Sequence, residues 1–329
     1  MKTEIIAEIA QGYEGDPKLA ELLVKGALVA GADAIKIQIV FADELCVPDY
    51  PYYDLFKSLE MERSVWEYLV SLVRKQKKRI YFDVFGEGSL ALAKRLGADG
   101  VKISTTDFYN ISLVKQAFRV FDYVILSTGG VPIEELDEVL ETCGLPKSLM
   151  LMHGFQAEPT MTIDNNLARI DSLRSRYSEI GVGIGFMDHT IGSSPEAFHI
   201  PLLAIGHGVN CIEKHISLDY SLEIEDYISA LSVDRFKQFV SIIRSVEPAV
   251  GSSRLSLTTK EIDYKNRASK VVVAKNDLVK GHVLTEEDLV MKRVSTKPSD
   301  LYFQKLSPVL GKVLLHSIKM DKPIEKGML

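Results

Sequence analysis

The sequence lacks the features that mark secreted, membrane-spanning and nucleic-acid-binding proteins. Its 329 residues include 3 cysteines, Cys46, Cys143 and Cys211, an odd and scattered set that offers no disulfide framework and favours a reducing compartment. No apolar run is long enough to span a bilayer, and no basic segment followed by an apolar one suggests a signal peptide. The net charge of −6 argues against nucleic acid or an anionic membrane as the main partner. We therefore expect a cytoplasmic protein with neither as its partner.

Strand-like and helix-like segments alternate through the first 250 residues. Apolar β runs such as EIIAEIA and DAIKIQIV are each followed by a segment of helical periodicity. Asp16 as N-cap and Pro17 at the first helical position predict where the first helix begins. Eight strand–helix units can be counted, which predicts a closed (β/α)8 barrel, the TIM barrel. An open doubly wound sheet is the alternative, but no GxGxxG motif follows the first strand.

Polar side chains follow the predicted strands, most clearly between Gly181 and Asp219. Asp188-His189 ends the seventh strand, and the run from Glu213 to His215 ends the eighth. Histidines at the ends of neighbouring strands would lie side by side over the barrel mouth, where they could hold one divalent metal; a structural role is the alternative. The segments AGADAIKI, LGADGVKI and HGVNCIEK repeat a pattern that joins a helix end to a lysine. We expect all three lysines to point into the barrel.

The pattern changes after Val250. A polar stretch over residues 251–267 reads as a linker, and residues 268–329 form short β runs broken by turns. Within them TEED predicts a short helix that begins with a capping-box pattern. We therefore divide the chain into a barrel (1–250), a linker (251–267) and a small, mostly β domain (268–329) that acts as a lid or dimerisation element.

The ordered motifs AEIAQGYEGD, KIQ, VKIST, ILSTGG, MDHT and IEKHISLD resemble the sialic acid (N-acetylneuraminate) synthase family. The terminal VVVAKNDLVKGHVLTEEDLVMKR resembles that family's antifreeze-like (SAF, β-clip) domain, so the resemblance covers nearly the whole chain. It implies a C–C bond-forming transferase that condenses phosphoenolpyruvate with an N-acetylmannosamine-type aldose, giving a nonulosonic acid and phosphate. It also implies a bound Mn²⁺ or Mg²⁺ and a domain-swapped homodimer.

The resemblance assigns roles to residues at the predicted strand ends. Catalytic roles fall on Glu8, Asp107, His189 and His215, and the two histidines are the metal ligands. The positions that match substrate contacts are Lys36, Gln38, Asp83, Lys102, Thr105, Ser127, Gln156, Glu158, Asp226 and Arg293. Each assignment has a non-functional alternative. The lysines could be solvated charges at the barrel rim, Glu8 could serve only as an ion-pair partner, and Arg293 could be an ordinary surface residue. His153, at the end of the sixth strand, either lines the mouth or packs structurally.

Several positions depart from the family pattern. Asp83 stands where a threonine is usual, and its carboxylate would repel a bound phosphate unless it pairs with a lysine or a second cation. Met187 replaces a serine and cannot donate a hydrogen bond to phosphate, while Asp107 and Glu158 alter the acceptor pocket. Two alternatives therefore stay open. One is an aldolase-type enzyme that uses pyruvate or another carbonyl donor, and the other is an inactive sugar-binding or regulatory barrel.

Overall fold

The protein is described by a computed structural model that covers residues 2–155, 157, 159–295 and 301–329. The chain divides into two compact units, a first that ends at Gly251 and a second that spans Ser252–Leu329. In the described part of the chain, no helix is both long and apolar enough to cross a membrane.

The first unit is a barrel of eight parallel strands in sequence order, closed by pairing between the first and the last. The strands are β1 (Glu4–Ala10), β2 (Ala34–Gln38), β3 (Arg79–Asp83), β4 (Gly100–Ile103), β5 (Tyr123–Ser127), β6 (Ser148–His153), β7 (Gly183–Asp188) and β8 (Cys211–Ser217). A short ninth strand, β9 (Leu231–Ser232), pairs with the end of β8. The (β/α)8 prediction is confirmed.

Helices follow the strands and cover the outside of the barrel. They are α1 (Pro17–Ala30), α2 (Ala42–Leu45), α3 (Tyr53–Ser58), α4 (Arg63–Lys75), α5 (Glu87–Arg95), α6 (Ile111–Val120), α7 (Ile133–Cys143), α8 (Arg169–Tyr177), α9 (Glu196–Gly206) and α10 (Val233–Val246). Helix α1 begins as predicted, with Pro17 in its first turn and the Asp16 carboxylate accepting from the backbone N–H groups of Lys18 and Leu19.

Two apolar layers hold the barrel together. The larger lies between the strands and the helices and includes Trp66, Phe82 and Phe236. The smaller fills the interior of the barrel, and its buried members are Ile6, Ala34, Tyr81, Ile125, Met150, Met152, Met187 and Cys211. Because side chains alternate between the two faces of a strand, the residues that extend the interior layer toward the carboxyl ends of the strands face the barrel mouth.

The second unit has its own small core. Strands β10 (Val271–Ala274) and β11 (Leu289–Lys292) pair antiparallel, and they pack with Leu284, Val309 and Ile324. The TEED segment forms a single 3-10 turn (Glu286–Asp288) with the expected capping box at Thr285. The stretch predicted as a linker contains helix α11 (Thr259–Ala268), which starts at its own capping box between Thr258 and Glu261.

Candidate active site

Five ionisable side chains converge on the inner wall of the barrel near the carboxyl ends of the strands. They form what we call the inner cluster: Glu8, Lys36, Asp83, Lys102 and Glu213. The Lys36 ammonium contacts the Glu8 carboxyl, lies 2.6 Å from Asp83 Oδ2 and lies 3.7 Å from Glu213 Oε2. Lys102 Nζ donates to Glu213 Oε1 at 2.6 Å. All five are nearly inaccessible, with Lys36 only 1 % exposed, so neither lysine is a solvated rim charge.

The inner cluster holds three carboxyl groups against two ammonium groups. Burial raises the pKa of Glu8 to about 8, because the attraction of Lys36 only partly offsets desolvation and the repulsion of Glu213 and Asp83. Burial also opposes ionisation of Glu213, but Lys102 and Lys36 lower its pKa to about 2. Of the three carboxyl groups, Glu8 is therefore the one that burial most favours in its protonated form.

The cluster has unused hydrogen-bond acceptors. Asp83 Oδ1 and Glu213 Oε2 are buried and accept no hydrogen bond from the residues that the structure describes. A buried acceptor without a donor costs about 1–3 kcal/mol, so such atoms need a ligand or water to complete them. Hydroxyl groups would satisfy these oxygens.

A bulge in β1 sets the position of Glu8. The pairing of β1 with β2 shifts between Glu8 and Ala10, and Ala10 adopts a left-handed φ of 51°. This local bend turns the Ala10 N–H toward Glu8 Oε1, which accepts from it at 2.6 Å. The carboxyl group is thereby fixed at one oxygen while the other faces Lys36.

His189 and His215 face each other over the barrel mouth. Their Nε2 atoms are 3.2 Å apart and their ring centroids 5.0 Å apart. Burial lowers the pKa of each imidazole to about 3, with the nearby His215 adding to the effect at His189, so both are neutral at physiological pH. Two neutral imidazoles that face each other across the barrel mouth can direct their nitrogen lone pairs at the space between them.

The two histidines fit a divalent metal ion as a two-ligand donor set. Metal–nitrogen bonds are about 2.1 Å long, so nitrogens 3.2 Å apart can both contact one ion. In the ranges that the structure covers, no group of three or more histidine, cysteine, aspartate or glutamate side chains is arranged to hold a metal. An ion at this pair would therefore keep several coordination positions for substrate or water.

The second ring nitrogens of the two histidines differ in their surroundings. His215 Nδ1 lies 3.4 Å from Asp226 Oδ2, an arrangement in which a carboxylate orients the ring. Asp226 itself adopts a left-handed φ of 63°. His189 Nδ1 is buried and has no hydrogen-bond partner among the described residues.

Thr105 and Ser127 form the hydroxyl part of the site. Their side-chain oxygens are 2.9 Å apart, and Thr105 also donates to the Gly129 carbonyl at 2.9 Å. Ser127 Oγ lies 3.9 Å from Met187 Sδ, so the thioether occupies the space beside the hydroxyl pair. Both hydroxyl groups are thus placed between β4, β5 and β7.

The other predicted site residues are not part of the inner cluster. Gln38, at the end of β2, accepts from Gln11 Nε2 at 2.8 Å. Asp107 lies in a 3-10 turn (Thr105–Asp107) after β4, where burial raises the pKa of its carboxyl. Arg293 is exposed in the second unit, and its Nε donates to the Ala268 carbonyl at 3.1 Å. Gln156 and Glu158 fall outside the described residues.

His153 packs structurally. Its ring lies against Phe186 of the outer core, with centroids 6.2 Å apart, and its Nε2 bonds to the Asn165 carbonyl at 2.8 Å. Its neighbour Met152 belongs to the barrel interior, so alternation places His153 on the helix side of the wall. Of the two alternatives for this residue, the structure supports packing.

Comparison with known proteins assigns the chain to a family. The model of the NeuB family matches residues 23–254, and the model of the SAF domain matches residues 269–329. The chain belongs to the NeuB family. Its members named below are synthases of sialic-acid-like acids, so the resemblance noted in the sequence is confirmed at the level of family, fold and terminal domain.

Named members of the NeuB family align along most of the chain. It is 29% identical to the pseudaminic acid synthase of Campylobacter jejuni, covering 99% of this chain and 94% of that protein. It is 28% identical to the N,N'-diacetyllegionaminic acid synthase of Legionella pneumophila, covering 90% and 87%. The crystal structure of N-acetylneuraminic acid synthetase from Leptospira borgpetersenii superimposes with a TM-score of 0.74 at 27% identity, covering 82% of this chain and 93% of that one.

One expectation about this NeuB family chain is wrong. Lys36 and Lys102 point into the barrel, but Lys214 of HGVNCIEK lies on the helix side of the wall, bonded to Asp188. The reason is spacing. The inward lysines come five residues after Gly31 and Gly97, whereas Lys214 comes six after Gly208, and one residue reverses the face of a strand.

Glu213 is the inner-cluster residue that the site prediction omitted. It comes five residues after Gly208 and so occupies the inward position that the lysines take in the other two segments. The spacing from the glycine, rather than the type of residue, was the signal that could have identified it.

Proposed function

We propose that the chain is a synthase that condenses phosphoenolpyruvate with an N-acetylmannosamine-type aldose, giving a nonulosonic acid and phosphate. Membership of the NeuB family supports the reaction class. The observation that carries the proposal is that the inner cluster and the facing pair His189 and His215 both lie at the carboxyl end of the barrel strands, where TIM-barrel enzymes place their chemistry.

The proposed reaction forms one C–C bond, and at C2 a C–O bond to water replaces the C–O bond to phosphate. C3 of phosphoenolpyruvate attacks the aldehyde carbon of the open-chain sugar, and the aldehyde oxygen takes a proton to become a hydroxyl group. Water then adds at C2 and phosphate leaves, so that C2 becomes the ketone of a 2-keto acid. One water is consumed and one phosphate is released for each product.

Glu8 is suited to move the proton. With its pKa near 8 it is protonated at neutral pH, and the adjacent Lys36 ammonium would stabilise the carboxylate left after it donates. Lys36 and Lys102 supply positive charge at the inner wall, and Thr105 and Ser127 supply hydroxyl donors. The unsatisfied Asp83 and Glu213 oxygens would accept from hydroxyl groups of a bound substrate.

His189 and His215 are the proposed ligands of a divalent ion, Mn²⁺ or Mg²⁺. When bound, such an ion supplies Lewis-acid polarisation of the aldehyde oxygen. The chain's own contribution is to hold the two imidazoles neutral and facing, with Asp226 beside the Nδ1 of His215.

One observation favours a second function, an aldolase-type reaction with pyruvate or another carbonyl donor. The Lys36 ammonium is already engaged by Glu8 and Asp83, so less positive charge is free for a phosphate group than two unpaired lysines would provide. A pyruvate-like donor carries fewer negative charges. Borohydride trapping of the enzyme with pyruvate would reveal a Schiff base on a lysine, if one forms.

The deciding experiment is phosphate release from phosphoenolpyruvate with a panel of aldoses, with and without Mn²⁺. The panel should include free, 6-phosphorylated, mono-N-acetylated and di-N-acetylated sugars, since one named relative makes an N,N'-diacetylated acid. Metal-dependent release with one sugar, lost in a folded His189→Ala variant, is the expected result. No release from folded protein across the panel would reject phosphoenolpyruvate as donor and favour the aldolase or a binding-only barrel.

We also propose that the enzyme is a domain-swapped homodimer in which Arg293 completes the partner's site. Support comes from the match to the SAF domain and from the exposure of Arg293. Two separately inactive variants, His189→Ala and Arg293→Ala, should recover part of the wild-type rate when refolded together, because a mixed dimer contains one intact site. A mixture that stays inactive, although mixed dimers form, would contradict a shared site.

A further inference from the structure

A second buried charge cluster lies on the other side of the barrel wall. Lys214 of β8 and Asp188 of β7 are register partners, and their ion pair spans 2.8 Å with both side chains 0 % exposed. We call it the outer pair. It does not touch the inner cluster in the described contacts, and nothing in the reaction proposed above uses it.

The outer pair hydrogen-bonds to both backbone groups of Thr190, the residue that follows His189. Lys214 Nζ donates to the Thr190 carbonyl at 2.7 Å, and Asp188 Oδ1 accepts from the Thr190 N–H at 2.9 Å. Asp188 and Thr190 are the two chain neighbours of His189. On the other strand, Lys214 immediately precedes His215. The pair therefore connects the two short segments that carry the two histidines.

The two histidines need this support unequally. His215 has Asp226 beside its Nδ1, and it lies within the regular pairing of β8 with β1, opposite Glu8. His189 lies just beyond the end of β7, and its Nδ1 has no partner among the residues that the structure covers. Its described polar contacts, apart from the facing His215, are at the backbone, where its carbonyl accepts from Thr160 N–H and Ser229 Oγ. The direction of its ring therefore depends more on the backbone than that of His215 does.

We propose that Asp188 and Lys214 are positioning residues, which hold the backbone at residues 188–190 so that the His189 imidazole faces His215. Its consequence for metal binding rests on the proposed function; the geometric claim does not. A buried pair on the helix side of the wall thus sets the spacing of two side chains on the mouth side.

The test uses a variant in which both charges are removed together. Lys214→Met alone would leave the Asp188 carboxylate buried without a partner, so the single variant is at risk of misfolding. In the Asp188→Asn/Lys214→Met double variant the charges are gone and the amide oxygen can still accept from Thr190 N–H. The matched control is Asp33→Asn/Arg244→Met, which removes a partly buried ion pair near the opposite, amino-terminal end of the strands.

Two readouts on the full chain separate the inference from the proposed function. The first is the crystal structure of the metal-free wild type and of both double variants. We expect the His189 ring to shift by about 1 Å or more relative to His215 in the outer-pair variant alone. A ring that stays in place would overturn the inference, whatever the protein does with metal.

The second readout is titration with Co²⁺, followed by its visible absorption. We expect the outer-pair variant to bind Co²⁺ about 10–100-fold more weakly than the wild type and the control variant, the range seen when groups that orient metal ligands are changed. Equal and measurable affinities in all three would overturn the link between the outer pair and metal binding. If wild-type protein binds no Co²⁺ while the crystal structures show the shift, the positioning role stands and the metal part of the proposed function fails.

Discussion

The inner cluster and the outer pair lie on opposite faces of the same barrel wall and differ in how their charges are matched. The outer pair is one ammonium and one carboxylate, with its hydrogen bonds directed to a single loop. The inner cluster has three carboxyl groups for two ammonium groups, and burial raises the pKa of one of these carboxyl groups, that of Glu8. A matched pair fixes a structure, whereas a surplus of acceptors needs a ligand to complete it.

The largest effect is expected at the centre of the inner cluster. Lys36→Met leaves the Glu8 and Asp83 carboxyl groups without the ammonium that contacts both, so we expect a loss of roughly 3–5 kcal/mol of unfolding free energy, with activity abolished. Urea denaturation would measure it. The Lys36→Met/Asp83→Asn variant removes one charge of each sign and should recover part of the stability. A single variant as stable as the wild type would mean that the cluster is hydrated.

A somewhat smaller loss is expected at the outer pair. Lys214→Met uncovers only one carboxylate, so we expect a loss near the lower end of the same range, about 3 kcal/mol. Adding Asp188→Asn should bring the unfolding free energy back to within about 1 kcal/mol of the wild type. If the double variant is no more stable than the single one, the Thr190 contacts of Lys214 matter more than charge matching.

The difference between the inner cluster and the outer pair could be predicted only in part from the sequence. Eight strand–helix units are enough to predict the barrel, and Lys36 and Lys102 each lie within a β run whose alternation directs them inward. The prediction for Lys214 is wrong because the three similar segments differ in the number of residues between the glycine and the lysine. In a strand, one residue decides between the mouth and the helix layer.

Other features depend on contacts between distant parts of the chain. Asp83 and Lys36 are 47 residues apart, and that they pair follows from the register of β2 with β3, which no local pattern reveals. Helix α11 was missed because its segment contributes no buried residue, so the apolar periodicity that marks the barrel helices is absent. Its capping box, Thr258 with Glu261, was the available signal.

The charge surplus also predicts a dependence of stability on pH in the range around neutrality. Glu8 has a pKa of about 8 in the folded protein and about 4.5 when unfolded, so between these values the folded state binds the extra proton. Its contribution to stability therefore falls as pH rises from about 4.5 to 8. In Glu8→Gln this contribution disappears, and urea midpoints of the variant should decline less than those of the wild type between pH 5.5 and 8.5.

The histidines do not obscure this comparison. Their pKa values are lowered to about 3 in the folded protein, so they remove stability as pH falls below about 6.5, and they do so equally in the wild type and in Glu8→Gln. The difference between the two proteins isolates Glu8. Parallel pH curves would show that Glu8 is ionised in the folded state and that the proton lies elsewhere in the cluster.

The smallest effect is expected at an exposed ion pair, which provides a reference for the other three predicted effects. Lys147 and Asp122 are 2.9 Å apart, a distance close to that of the outer pair, but their side chains are 76% and 80% exposed. Solvent screening limits such a pair to about 1 kcal/mol or less, so Lys147→Met should leave the urea midpoint almost unchanged. The N–O distance is nearly the same in the two ion pairs. If Lys214→Met therefore lowers the unfolding free energy by several kcal/mol more than Lys147→Met does, the difference comes from burial. A Lys147→Met loss equal to that of Lys214→Met would mean that removing a lysine, rather than uncovering a buried carboxylate, explains both.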